Sequence, residues 1–447
     1  MTTDIIHHTA EELGKAIARH ELDPREILEE YYRFIDSNPV SSRIFTTLTR
    51  ERAYREAEFA SQRSKRGKRL SPLDGVPISW KDLYDTHDYL TEAGSLLLKG
   101  RHPKTDAKVL QIATNAGLVC IGKTHMSELA FSGLGLNPNT GTPPCINNLD
   151  AVAGGSSSGA AASVAFGMAA AGIGSDTGGS IRAPACWNDL VGFKPTHGQI
   201  SLKGVVPLCS SLDTVGPLCR TVSDAALLYS IFIQRGPVDL TNASLKGKSF
   251  LILQSQSMKF IREEPQMGFE LCVEKIKDQG AIISKEFFPE IDQALALAAC
   301  LYCVEGYSTW KEVIEANPDV MFAPIRDRFL HGKEYSGDDY LSALRELHSL
   351  RQSLNKKTRG YDGFVLPTSP ILPPNKERLL NDREFYTTEN FHALQNTRVS
   401  NLFNWPALTL PTGVPSTGIS IICHQNEDTR LLRLAKAVEN TINAQST

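Results

Sequence analysis

Apolar positions along this chain follow two alternating rhythms. Short, nearly unbroken apolar runs predict buried strands at 76–80, 118–121, 169–173, 249–253, 364–366, 407–410 and 419–423. Between many of them, apolar residues recur at helical spacing, at 107–116, 160–166, 223–232, 268–277, 340–356 and 429–442. Two more helices are predicted at the start. Thr9 and Glu12 form a capping-box pattern ahead of Leu13 and Ile17. Asp23 followed by Pro24 reads as an N-cap and first-turn proline ahead of Ile27, Leu28, Tyr31 and Ile35. Strands alternating with helices predict an α/β layer structure. The stretch 290–350 is more helical than the rest and is expected to cap or shape a pocket. No repeat, low-complexity segment or linker divides the chain, so 1–447 reads as a single domain.

Composition narrows the function classes. The 447 residues could hold about three domains at ~150 residues each, but large single α/β domains are common. With 41% hydrophobic and 22% charged residues the chain is ordinary globular protein. A net charge of −3 gives no reason to expect nucleic acid or an anionic membrane surface as partner. Five basic residues crowd into 63–69, read as a solvated loop before the strand at Val76. The polar stretch 1–10 has no apolar core for a signal peptide, and no run reaches the ~18 apolar residues of a membrane span. Nine cysteines, an odd number, fit reduced buried thiols in a cytoplasmic protein. Cys300 and Cys303 have redox-motif spacing, but their apolar helical run, 294–304, predicts core packing instead.

Candidate chemistry gathers in two glycine-rich segments. One reads Gly154-Gly155-Ser156-Ser157-Ser158-Gly159, the other Asp176-Thr177-Gly178-Gly179-Ser180-Ile181-Arg182, with Ser156 and Ser180 24 residues apart. Gly-Gly pairs let a backbone turn tightly and approach a ligand. Upstream, the strand at 76–80 delivers Lys81-Asp82. Two serines and a lysine at strand ends or turns suggest nucleophilic catalysis without histidine. The eleven histidines are scattered, and His197 is the nearest to these segments. Each residue also has a plain structural explanation. Lys81 alone would be a surface lysine, Ser156 a helix N-cap, and Ala160-Ala161-Ala162 a tight helix contact.

Two further motif matches are read as coincidental. Gly155 to Gly159 fits the nucleophile elbow with Ser157 at its centre, yet Pro143, Pro144 and 147–150 do not read as the strand an elbow needs. Gly117 to Thr124 fits the P-loop pattern, but its middle residues are themselves the predicted strand, whereas a P-loop strand precedes the first glycine.

Gly75-Val76-Pro77-Ile78 with Lys81-Asp82, the Gly-Gly-Ser-Ser run, and Asp176 to Arg182 followed by Pro184-Ala185 together resemble the amidase signature family of serine hydrolases. Supporting pieces are Gly192-Phe193-Lys194-Pro195-Thr196, Leu212 to Pro217, Tyr361-Asp362 with Leu366-Pro367-Thr368, and Trp405 to Pro411, so most of the chain is covered. The resemblance implies one domain around a large mixed sheet with helices on both faces. It implies Ser180 as nucleophile, Ser156 as a bridging serine after a cis peptide bond, and Lys81 as base. A lysine can act so only when neutral, which requires its pKa to fall from ~10.4 by about three units. Backbone N–H groups of Thr177, Gly178, Gly179 and Ser180 would form the oxyanion hole. Asp176 and Arg182 would hold the turn, with substrate contact as the alternative for Arg182.

The implied reaction cleaves a carboxamide to a carboxylate plus ammonia or an amine through an acyl-enzyme on Ser180. It needs no cofactor and no metal. The partner would be a small-molecule amide, with no nucleic acid and no membrane, and a homodimer is left open. Trp80 stands where a small aliphatic residue is common in the family, and Ser420 where glutamine is. The middle-region tyrosines of the A-type subunit of glutamine-hydrolysing tRNA amidotransferases are not evident around 300–313, which favours a stand-alone amidase over that alternative. A catalytically silent binding protein is disfavoured because all three triad positions are intact. Specificity is expected to come from 126–138 and 305–340.

Overall fold

The apolar runs pair into one sheet. In the computed structural model, which describes residues 5–444, the strands in chain order are β1 (Phe45–Leu48), β2 (Pro77–Lys81), β3 (Val119–Thr124), β4 (Pro144–Cys145), β5 (Asn148–Val152), β6 (Ala171–Asp176), β7 (Val191–Lys194), β8 (Thr214–Cys219), β9 (Ser249–Gln254), β10 (Ile282–Phe287), β11 (Gly363–Pro367), β12 (Ala407–Pro411) and β13 (Gly418–Ile422). Residues 1–4 of the polar start, and with them part of the signal-peptide reading, lie outside the described residues. Eleven strands join in the order β1-β3-β2-β6-β8-β7-β12-β13-β11-β9-β10, and β4 pairs with β5 apart from them. The sheet is mixed. β3, β2 and β6 run parallel, as do β11, β9 and β10, while the strands between them are antiparallel. Helices flank this sheet, as the α/β reading expected.

Every predicted strand forms, displaced by no more than a few residues. Six others were not anticipated. β8 contains Gly216 and Pro217, β7 is four residues with Gly192 inside, and β10 is largely exposed, so none carries a strong apolar signal. The segment read as strandless before Ser157 is in fact the β4–β5 hairpin. The basic stretch is also corrected. Arg63 and Lys65 close the helix Arg50–Lys65, and Arg63 binds Asp74 at 2.6 Å, so only its later residues form a loop. Both N-terminal capping boxes are present. The stretch 290–350 forms the helices Pro289–Ala316, Ala323–Leu330 and Gly337–Lys357. Cys300 and Cys303 lie buried as free thiols in the first. Among the described residues no helix is long and apolar enough to cross a membrane.

β3 occupies the middle of the P-loop pattern. Lys123 is fully buried, and its Nζ meets Asp82 at 2.9 Å, Thr91 Oγ1 at 2.8 Å and the Leu90 carbonyl at 3.0 Å, which uses all its donors. Calorimetry with ATP and magnesium is therefore expected to give no saturable heat. A micromolar site abolished by Lys123→Ala would overturn this assignment.

The sheet brings the two chemical segments together through β2 and β6. These parallel neighbours place Trp80 opposite Ile173, so Lys81 and Asp176 emerge at the same edge. The helix Ser158–Ala165 lies against β6. Its close approach depends on Gly174, where a β-carbon would stand 2.6 Å from Ser157 Oγ. Trp80 is buried on the other side of β2, edge-on to Tyr84 with ring centroids 5.2 Å apart.

Candidate active site

A lysine at a strand end is ordinarily solvated. β2 is buried along its whole length, and Lys81 has no exposed surface. Its Nζ lies 2.7 Å from Ser156 Oγ and 2.8 Å from Ser175 Oγ. Both partners are neutral, so neither repays the loss of water around an ammonium. Burial pulls the lysine down from its ordinary 10.5 to about 7, against the opposing pull of Asp176 and Asp213. Ser175 was not foreseen as a partner. In the sequence it is one small residue in a small-residue run, and only the β2–β6 register brings it to Lys81.

The Gly155–Ser156 peptide bond is cis. Gly155 N–H donates to the Gly133 carbonyl at 2.8 Å, and Ser127 N–H to the Ser156 carbonyl at 3.2 Å. The next N–H, of Ser157, donates to the Ser180 carbonyl at 3.2 Å and joins the two glycine segments directly. The Ser157 hydroxyl is buried and donates to the Ser175 carbonyl at 3.1 Å. The elbow reading of Ser157 thus fails on engagement of its hydroxyl, not on the missing strand.

The turn 176–180 is held from outside by side chains. Thr214 Oγ1 donates to the Asp176 carbonyl at 2.6 Å, Tyr302 Oη to that of Thr177 at 3.2 Å, and Thr397 Oγ1 to that of Gly178 at 2.8 Å. The Gly179 carbonyl accepts from Ala183 N–H at 2.8 Å. In a trans peptide the carbonyl and the following N–H point in opposite directions. Fixing these carbonyls therefore aims the N–H groups of residues 177–180 away from their anchors. Gly179 N–H is taken by Asp176 Oδ1 at 2.8 Å, which corrects its assignment to the oxyanion hole: it braces the turn. Those of Thr177, Gly178 and Ser180 meet no protein acceptor among the described residues. Gly179 is required for this shape. Its φ is +134°, and a β-carbon there would lie 2.0 Å from Thr397 Oγ1.

Asp176 and Arg182 face each other at 2.9 Å with no exposure. The guanidinium spends all five donors: Nε and one Nη2 bond on Asp176, the other Nη2 bond on Asn401 Oδ1, and Nη1 on Thr397 O and Ser400 Oγ. Nothing remains for a substrate, which removes that alternative for Arg182. Burial alone would raise Asp176; the charge and hydrogen bonds of Arg182 outweigh it and hold the carboxyl at about 2. Asp213, which accepts from Thr177 Oγ1 at 2.6 Å, is pushed up to about 6 by burial.

Ser180 is 3% exposed and borders a small cavity of about 20 Å³. Phe131, Tyr302, Arg328, Leu394 and Arg398 complete much of its wall. Phe131 and Arg328 fall within the stretches expected to set specificity. Tyr302 lies just before one of them, and Arg398 comes from the C-terminal region, where no sequence signal marked it. Among the described residues, no cluster of His, Cys, Asp or Glu could hold a metal ion.

Comparison with known proteins finds relatives over nearly the whole chain. The Amidase family model matches residues 26–432. The A-type subunit of glutamyl-tRNA(Gln) amidotransferase from Desulforamulus reducens is 29% identical, covering 98% of this chain and 97% of that protein. A crystal structure of an amidase shares 28% identity, covers 97% of this chain and 99% of its own, and superposes with a TM-score of 0.87. Selenomethionine-substituted Kluyveromyces lactis allophanate hydrolase shares 26% identity over 95% of this chain and 71% of its own, with a TM-score of 0.82. The chain belongs to the Amidase family, whose members hydrolyse amides.

Proposed function

We propose that the protein is a stand-alone amidase working through an acyl-enzyme on Ser180. The carrying observation is Lys81: fully buried, with no carboxylate against its Nζ among the described residues, and 2.7 Å from Ser156 Oγ. In this reading Ser180 Oγ attacks the carboxamide carbon. Its proton passes to Ser156 Oγ while the Ser156 proton passes to neutral Lys81 Nζ. The tetrahedral oxyanion lies against the N–H groups of Thr177, Gly178 and Ser180. The proton then returns from Lys81 through Ser156 to the departing nitrogen, and the C–N bond breaks. Water, deprotonated by the same relay, attacks the ester carbon and releases the carboxylate, restoring Ser180. Asp176 and Arg182 hold the turn and do not touch substrate.

An activated-serine reagent is expected to label Ser180 and leave Ser157 untouched. Mass spectrometry of the labelled peptide checks this, and a label on Ser157 would overturn the assignment. A second reading has its own support: curated relatives named as the A-type amidotransferase component are 28–30% identical over nearly the whole chain. Stable co-purification with partner proteins, together with ammonia release from glutamine, would favour it over the stand-alone enzyme.

A further inference from the structure

The throat of the Ser180 cavity carries two cations that no protein acid answers. Tyr302, Arg328 and Arg398 line both the small cavity and a larger outer vestibule of about 450 Å³, so these side chains stand between the two. Arg328 Nη1 donates to the Phe131 carbonyl at 2.6 Å, and Arg398 Nη1 to that of Phe391 at 3.2 Å. Neither makes an ion pair among the described residues. The acids of the vestibule are engaged elsewhere. Asp327 pairs with Arg326 and Arg383, and exposed Glu334 lies 2.9 Å from His331 Nδ1. Burial and the nearby charge of Arg328 lower half-buried Arg398 to about 10.

These cations lie close to the nucleophile turn. A β-carbon at Gly178 would stand 3.5 Å from Arg398 Cγ and 3.4 Å from Tyr302 Oη. The inner cavity, about 20 Å³, admits a group of roughly water size, so it suits the head of a substrate whose remainder sits at the throat. Among the described residues no acidic side chain lines that cavity; Leu394 fills part of its wall. An ammonium group would meet two guanidiniums and no partner.

Building on the Ser180 reading above, we infer that the substrate is a short amide bearing a free carboxylate and no ammonium, its carboxylate held between Arg328 and Arg398 while its carboxamide reaches Ser180. Guanidinium is suited to this task because its planar donors match a carboxylate. The inference also separates the substrate from glutamine, which carries both charges.

Calorimetry with the Ser180→Ala protein tests it without turnover. The probes are malonamate and succinamate, their neutral diamides malonamide and succinamide, and glutamine. At least one monoamide acid is expected to bind about 30-fold or more tighter than its diamide and than glutamine. Arg328→Met and Arg398→Met should each cut that preference about tenfold, and Arg398→Lys should restore part of it. Melting curves identify a variant that fails to fold, and the probe series on the Ser180→Ala protein stands without the arginine variants. Equal or tighter binding of a diamide or glutamine, no binding of either acid, or a preference that survives both methionine variants overturns the inference. Failure of the reagent to label Ser180 in the wild-type protein counts against the proposed catalytic role instead.

Discussion

Lys81→Arg is expected to lower turnover by on the order of 10³-fold or more. Arginine keeps the positive charge but cannot release its proton in a protein. Lys81→Ala should fall as far, and Ser156→Ala should also be crippled because it breaks the relay between Ser180 and Lys81. The wild-type pH profile follows from the same residue. Burial has brought Lys81 to about 7, and the neutral form is the active one. Below that point kcat/KM should fall about tenfold per pH unit, and above it the profile should flatten. The measurement is kcat/KM against pH for wild type and Lys81→Arg. An arginine variant that retains most of its activity would make Lys81 only a positive charge near the site and remove it as the base.

Arg182→Met is expected to cost about 3–5 kcal/mol of folding stability, because it strands Asp176 as an uncompensated buried charge. The loss extends beyond that pair. Arg182 also holds Thr397 O, Ser400 and Asn401, and Thr397 in turn fixes the Gly178 carbonyl. Labelling of Ser180 should therefore disappear along with stability. Urea unfolding at neutral pH reads the first effect; a variant within ~0.5 kcal/mol of wild type would show that the pair does not hold the turn. Acid acts on the same contact. Asp176 sits at about 2 when folded and near 4 when unfolded, so the unfolded chain takes up its proton first as pH falls. Its contribution is complete above ~4 and is lost as pH drops through about 2.

The contrast between Lys81 and Arg398 shows what can be read from a sequence of this kind. Lys81, Ser156 and Ser180 stand in segments whose glycines, serines and order along the chain are distinctive before any fold is known. The alternation of apolar runs gave the α/β layering for a similar reason, since a buried parallel strand must be apolar on both faces. Ser175, Tyr302, Thr397 and Arg398 left no such mark. Ser175 meets Lys81 only through the β2–β6 register, and the other three reach the turn or cavity because a distant element delivers them, Tyr302 from 125 residues beyond Thr177 and Thr397 from 219 beyond Gly178. The missed strands β7 and β8 are alike in this: pairing with neighbours on both sides overrides the weak strand signal of Gly192, Gly216 and Pro217. Gly179 shows the limit at finer scale. Its glycine was legible, but the direction of its N–H depended on a carboxylate three residues away.

The strand order carries a consequence for how the chain is made. β7 ends at Lys194, yet its outer neighbour β12 begins at Ala407. β11, complete by Pro367, waits likewise for β13. During synthesis from the N-terminus, each partly built sheet therefore emerges with an open hydrogen-bonding edge made of buried-type residues. Both stay unsatisfied until the final hairpin arrives as a keystone between them. A ribosome stalled before residue 407 would hold two sticky halves, the kind of surface that recruits chaperones or pairs with a neighbouring nascent chain.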